Sequence, residues 1–155
     1  MNDTYNLQRF VKEQTRDYSA AYMELSQGKK RTHWMWWIFP QIEGLGMTST
    51  SRKYSIKSLA EAKAYLNHAY LGKNLRELCN ILLKLEKNDA AELLGYPDNL
   101  KLCSSMTLFS EADPSEEVFR KVLDKFYNGE KDEKTLKILK ELKPVSTGES
   151  YGKNI

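Results

Sequence analysis

The apolar residues of this chain recur at intervals of three and four almost throughout, and that spacing restricts what it can fold into. Leu7, Phe10, Val11, Gln14, Tyr18, Ala21, Tyr22 and Leu25 fall on one face of a long first helix. Gly28 supplies the residue that most readily adopts the left-handed conformation ending a helix. Ser58-Leu59-Ala60-Glu61 has the pattern of a capping box and predicts a helix carrying Ala62, Tyr65 and Leu66. After Tyr70, a further helix places Leu71, Leu75, Leu78, Leu82 and Leu85 on its buried side, with Cys79 beside them as a small core residue. Asp89 caps a short helix ending near Gly95, and Asp98 can cap the next. Asp113-Pro114-Ser115-Glu116 sets an N-cap, a first-turn proline and a first-turn acid in their preferred order. The helix after it buries Val118, Val122, Leu123 and Phe126 and stops at Gly129. Asp132 starts a last helix with Leu136, Leu139 and Leu142, which Pro144 is expected to stop. WMWWIF could be extended, since aromatics favour strands, but it has no partner segment. The expected fold is all-α: a single multihelical array of about seven longer and shorter helices. It occupies residues 1–143, with a flexible C-terminal tail at 144–155 that lacks apolar period.

Bulk properties narrow the function classes. A chain of 155 residues fits one domain with a sizeable core. No apolar run approaches the roughly 20 residues needed to cross a bilayer, and MNDTYNLQRF lacks the basic start and apolar run of a signal peptide. A cytoplasmic location and no membrane partner are therefore expected. Cys79 and Cys103 are then expected as free thiols. Two Cys and two His without ligand spacing argue against a metal site, and no cofactor is implied. The net charge of +3 is too balanced for a nucleic-acid footprint, and Lys29-Lys30-Arg31 reads as solvated surface.

Three stretches could carry chemistry. The first is RTHWMWWIFPQIEGLG, which holds all three tryptophans within Arg31–Gly46. On a helix Trp34, Trp37 and Ile38 share a face, while Trp36 and Phe39 point elsewhere; Trp37 is expected inside, with Trp34 or Trp36 at the rim. A buried indole needs a partner for its N–H, so polar groups must lie nearby. The block can be aromatic core, a stacking platform for a planar ligand, or both. The second stretch, GLGMTSTSRKY, offers Gly44, Gly46, Thr48, Ser49, Thr50, Ser51, Arg52, Lys53 and Tyr54, the composition of an anion-binding loop. It lacks the lysine spacing of a P-loop and the strand of a dinucleotide fold, and such loops also simply form turns. The third, DNLKLCSSMT, sets Ser104, Ser105 and Thr107 in an otherwise apolar helix. They can bond back to the preceding turn or line a polar pocket. No His or Asp at suitable spacing marks a nucleophile. His33, His68 and Glu43 complete the titratable candidates, and of these His33 and Glu43 are the weak catalytic ones.

His33-Trp34-Met35-Trp36-Trp37-Ile38-Phe39-Pro40-Gln41, Gly44-Leu45-Gly46, Ser51, Tyr54-Ser55-Ile56, Glu61-Ala62, Tyr65-Leu66, Leu71-Gly72 and Lys101 through Phe109 together resemble the family known as domain of unknown function 1810. Its members are sometimes labelled calpastatin, a name nothing in this sequence supports. The resemblance spans roughly residues 5 to 142 and implies an all-α, multihelical single domain with no established activity. The chain departs from the pattern at Ala69, where a proline is usual after His68, and at Thr32, more often serine. The family's polar signature falls on His33, Gln41, Ser51, Tyr54, Lys101, Ser104, Ser105 and Thr107. That selection suggests the three stretches converge on one site. Ser51-Arg52-Lys53-Tyr54 is also faintly similar to part of the N-glycosidase superfamily acting on ADP-ribose-linked compounds. Those enzymes carry a glutamate between the serine and the tyrosine, where Arg52 and Lys53 stand here.

Three functional readings follow. The leading one is a small-ligand-binding domain for a nucleotide or ADP-ribose-like anion. Its pocket is built from Trp34, Trp36, Gln41, Gly44, Gly46, Ser51, Tyr54, Lys101, Ser104, Ser105 and Thr107. The second is an enzyme, N-glycosidase or other hydrolase-like, acting on the same ligand class. The third is a protein–protein interaction module anchored by tryptophan.

Overall fold

The computed structural model describes residues 3–147, with side chains to residue 142. It is all-α, and among the described residues there are nine helices and no strand. They are α1 (Gln8–Ser26), α2 (Met35–Ile38), α3 (Ser49–Lys53), α4 (Leu59–Asn67), α5 (Leu71–Lys84), α6 (Ala90–Leu94), α7 (Asp98–Ala112), α8 (Val118–Tyr127) and α9 (Glu133–Thr147). Seven match the helices expected from periodicity. The two added ones, α2 and α3, are four and five residues long, too short to repeat an apolar period.

Helix α7 is the centre. It packs against α4, α6, α8 and α9, and Leu102, Met106, Leu108 and Phe109 are fully buried. Phe109 meets Tyr65 of α4 at 5.3 Å and Phe119 of α8 at 5.7 Å between ring centroids. A helix enclosed on so many sides has no polar face to solvate. Two of its hydroxyls are satisfied by the preceding turn: Thr107 Oγ1 donates to Cys103 O at 2.8 Å, and Ser104 Oγ to Leu100 O at 3.2 Å. Helix α5 lies against α1, α4 and α8. Its start approaches the end of α4 so closely that a Cβ on Gly72 would stand 2.1 Å from Leu66 O. Only glycine fits there.

Several boundaries differ from expectation for identifiable reasons. Ser58 caps α4 through Glu61 N, but the Glu61 carboxylate accepts from Lys57 N and pairs with Arg9, rather than closing the box on Ser58. Asp98 is the first residue of α7, with Pro97 in the cap position, and its carboxylate is engaged by Lys30 and Lys101 instead of a backbone N–H. Asp113 accepts from Ser115 N and Oγ in a turn, and α8 begins only at Val118. Helix α9 continues past Pro144 to Thr147. Of the expected tail, residues 148–155 lie outside the described residues. Cys79 is buried against Met106, and both cysteines are free. Burial raises the Cys103 thiol to about 11, with Asp132 adding to the shift, so neither geometry nor acidity activates it.

The core has a polar hub. Gln14, 1% exposed on α1, donates from Nε2 to Trp37 O at 2.8 Å and to Tyr65 Oη at 2.9 Å. Its Oε1 accepts from Asn74 Nδ2 of α5 at 2.9 Å. One amide thereby joins α1, α2, α4 and α5. Gln14→Leu keeps the volume but strands these partners, at about 1–3 kcal/mol for each group left unpaired. A loss above about 2 kcal/mol is expected in urea denaturation; a wild-type midpoint would show that the hub carries no stability.

Candidate ligand-binding groove

The aromatic block is held by the inner face of α1. The Glu24 carboxylate, 7% exposed, accepts from Trp34 Nε1 at 2.9 Å, from Thr32 N and Oγ1, and from Arg31 N. Burial alone would raise this carboxyl. The four hydrogen bonds outweigh it and hold the group down at about 2. Asp17 accepts from Trp37 Nε1 at 2.9 Å, and the Trp37 ring meets Tyr54 at 5.1 Å. Arg9 fixes the next segment: its guanidinium donates to Lys53 O, Ser55 O, Tyr5 O and Asn6 O and pairs with Glu61 at 2.7 Å. A parallel bridge between Ile42 and Ile56 closes the loop, with Ile56 N donating to Gln41 O and Glu43 N to Ile56 O.

This frame sorts the tryptophans differently from the helical-face expectation. Trp34 is the interior one, 1% exposed, while Trp36 and Trp37 are half-buried. The single turn of α2 is too short for a helical face to govern its direction; the α1 carboxylates do so instead. Trp36 stands at the rim, with the Lys101 ammonium 4.1 Å from its ring centroid.

Trp36 and Lys101 form a ridge between two hollows. One, of about 260 Å³, is lined by Lys30, His33, Thr50, Asp98 and Lys101 together with the aromatic turn. The other, of about 180 Å³, is lined by Gln41, Leu45, Gly46, Pro97, Leu100 and Ser104 as well as the ridge. Gln41, 6% exposed, has a buried Nε2 with no partner among the described residues. Lys30 was read from sequence as solvated, yet its side chain is 7% exposed and pairs with Asp98 at 2.9 Å. Lys101 reaches the other oxygen of Asp98 at 3.2 Å.

The remaining residues singled out in the sequence separate. Gly44, Ser51, Tyr54 and Glu43 line a third cleft, which shares Trp36, Gln41, Leu45 and Gly46 with the second hollow and leaves only about 10 Å³. A Cβ on Gly46 would meet Ser51 at 2.8 Å, so the GLG loop is packed onto α3. Ser51 Oγ donates to Thr48 O, and Tyr54 Oη to Glu13. Burial, then Glu13, pushes the Tyr54 hydroxyl up to about 12. Ser105 and Thr107 are fully buried inside α7, whereas Ser104 reaches the groove and also donates to Asp132. Glu43 is exposed beside Lys57, and His33 is exposed at the first hollow. His68 Nδ1 accepts from Tyr70 N and Leu71 N at the start of α5. No group of three His, Cys, Asp or Glu among the described residues could hold a metal ion. No helix there is long and apolar enough to cross a membrane.

A family model, protein of unknown function (DUF1810), matches residues 4–139. The chain belongs to this family. No curated protein matches it. Among solved structures, the conserved hypothetical protein Rv1873 from Mycobacterium tuberculosis is similar over 89% of this chain and 99% of its own, at 43% identity and a TM-score of 0.87. The DUF1810 assignment thus carries the all-α fold and no activity.

Sequence reasoning passes over Asp17 and Glu24, and gives Lys30 and Asp98 other roles, a solvated lysine and a helix cap. For the first two a signal existed: positions 10, 14, 17, 21 and 24 share one helical face, so acids at 17 and 24 face inward with Gln14. For Lys30 and Asp98, sixty-odd residues apart, no local pattern marks the pair.

Two outcomes are expected. Trp34→Ala should cost about 3–5 kcal/mol, the range for a large buried aromatic, while Trp36→Ala should cost about 1 kcal/mol, as ordinary substitutions do. Denaturant melts showing equal losses would place Trp36 in the core. Glu24 titrates lower in the folded chain than its ordinary 4.5. Its stabilisation is therefore complete above about pH 4.5 and lost as pH falls toward 2. Glu24→Gln should flatten that part of the stability–pH curve; an unchanged slope would remove Glu24 as its source.

Proposed function

We propose that this DUF1810 domain binds a small planar anion of the nucleotide class along the Trp36 groove. The observation that carries the reading is the ridge itself: an indole at the rim, capped by an ammonium, beside an unpaired buried amide. An aromatic face accepts any base by stacking, worth about 1–3 kcal/mol. A buried amide without a partner costs free energy that a ligand can recover. Gly44, Ser51, Tyr54, Ser105 and Thr107 then serve as supports of the groove, and Trp36, Gln41, Lys101 and Ser104 as its contacts. For the enzyme reading, Glu43 and His33 face solvent on opposite sides of Trp36 and share no reacting position, so binding is the better-supported reading.

Titration with nucleoside monophosphates should quench tryptophan fluorescence, and Trp36→Phe should remove most of the quenching. Absence of both quenching and heat of binding across a nucleotide panel would end this reading. It would leave the exposed Met47, Tyr96 and Leu100 near the groove as a surface for a protein partner.

A further inference from the structure

The two hollows on either side of the Trp36–Lys101 ridge differ in chemistry, and neither is large enough alone. Ligand sites run from about 300 to 1,000 Å³, against about 260 Å³ and about 180 Å³ here. An occupant of ordinary size would extend over both. The first hollow is charged. Asp98 holds Lys30 on one oxygen and Lys101 on the other, so one carboxylate faces two ammonium groups. Lys30 is already committed, since it also donates to Thr32 O at 2.7 Å and lies 4.9 Å from the Trp34 ring centroid. Lys101 is not: it makes one contact to Asp98 and otherwise rests on the Trp36 ring. The hollow thus keeps one positive charge in excess, next to the hydroxyl of Thr50 and the imidazole of His33. A partly buried excess charge is costly unless an anion shares the site. The second hollow is mainly apolar, lined by Leu45, Pro97 and Leu100; Gln41, whose Nε2 is buried and unpaired, and Ser104 are also in its lining.

We infer that the site is bipartite and selects a nucleoside monophosphate, its phosphate in the Lys30–Asp98–Lys101 hollow and its base in the Gln41 hollow. This rests on the binding reading above and narrows it to one nucleotide unit with a terminal phosphomonoester. In the free protein the Lys101 ammonium occupies the outer side of Trp36. On binding it turns to the phosphate while the base lies along the indole and takes a hydrogen bond from Gln41 Nε2. An amide presents both donor and acceptor, so this geometry fixes the ligand class and not the base. A dinucleotide or ADP-ribose has a second phosphate and a second sugar, beyond the one phosphate hollow and one base hollow assigned to the ligand.

Isothermal titration of the whole chain with AMP, GMP, CMP and UMP, their nucleosides, and ADP-ribose tests the inference. The preferred monophosphate should bind at least tenfold tighter than its nucleoside and tighter than ADP-ribose. Lys101→Met should reduce the advantage over the nucleoside to less than threefold. Gln41→Leu should weaken nucleotide and nucleoside alike and leave the advantage intact. In the unaltered protein, rising salt should weaken the monophosphate and not the nucleoside, a measurement that stands even where a variant fails to fold. Equal affinity of nucleoside and monophosphate would overturn the phosphate hollow while leaving nucleotide-class binding in place. Tighter binding of ADP-ribose would overturn the size limit. Failure of every compound to bind would instead remove the binding reading itself.

Discussion

Glu24 accepts hydrogen bonds from the Trp34 indole, the Thr32 hydroxyl and two backbone N–H groups, and so sets the path by which the chain leaves α1 for the groove. An inward carboxylate on the helix face that packs against the core is expensive to desolvate. It persists because four donors converge on it, enough to hold it ionised far below its ordinary range. The same face repeats the device at Asp17 and Gln14, which hold Trp37 by its indole and its carbonyl. Arg9 extends it to the carbonyls of Lys53 and Ser55. The segment from Thr32 to Ser55 contains only the short helices α2 and α3. Its shape therefore comes largely from side chains of α1, with the Ile42–Ile56 backbone bridge closing the loop. That division leaves Trp36 at the rim, since Trp34 and Trp37 on either side are drawn toward α1.

The hydroxyl-rich stretches follow a different economy. Thr107 donates backward along α7 and accepts from Asp132 N, while the Asp132 carboxylate takes Ser104 and both donors of Thr135. These groups weld α9 onto α7. Ser51 is turned into its own loop by Thr48. The Ser51, Ser104 and Thr107 members of the family's polar signature are thus accounted for by helix ends and close helix packing. Within it, Ser104 belongs both to the weld and to the groove wall.

How much of this was legible in the sequence depends on range. Caps such as Ser58 and Asp89 act over three residues, and apolar periods act within one helix, so α1 and α4 through α9 could be read directly. Helix α2 could not, because four residues carry no period and its orientation comes from acids ten or more positions earlier. The order of the tryptophans failed for the same reason: a face argument assumes a helix long enough to have faces. The convergence of Trp36, Gln41, Lys101 and Ser104 could be anticipated only from their shared occurrence in a family pattern. The pairing of Lys30 with Asp98 could not be anticipated at all, since a lysine within a basic run looks solvated until the fold brings an acid to it.

Three buried side-chain atoms have no partner among the described residues: Gln41 Nε2, Asn99 Oδ1 and Ser105 Oγ. They are not equivalent. Ser105 sits wholly inside α7, where a small hydroxyl is a modest departure from alanine. Asn99 opens α7, and its backbone carbonyl already accepts from Tyr127 Oη. Gln41 alone borders a hollow, and its backbone is already spent on the Ile56 bridge. Packing would be served as well there by leucine or methionine, without the cost of about 1–3 kcal/mol for an unpaired donor. Folding requirements thus account for the Gln41 carbonyl and not for its side chain. Gln41 is thus an unpaired buried amide in the lining that it shares with a half-buried indole and an ammonium, and it is the one of the three orphaned groups that the proposed binding reading would explain.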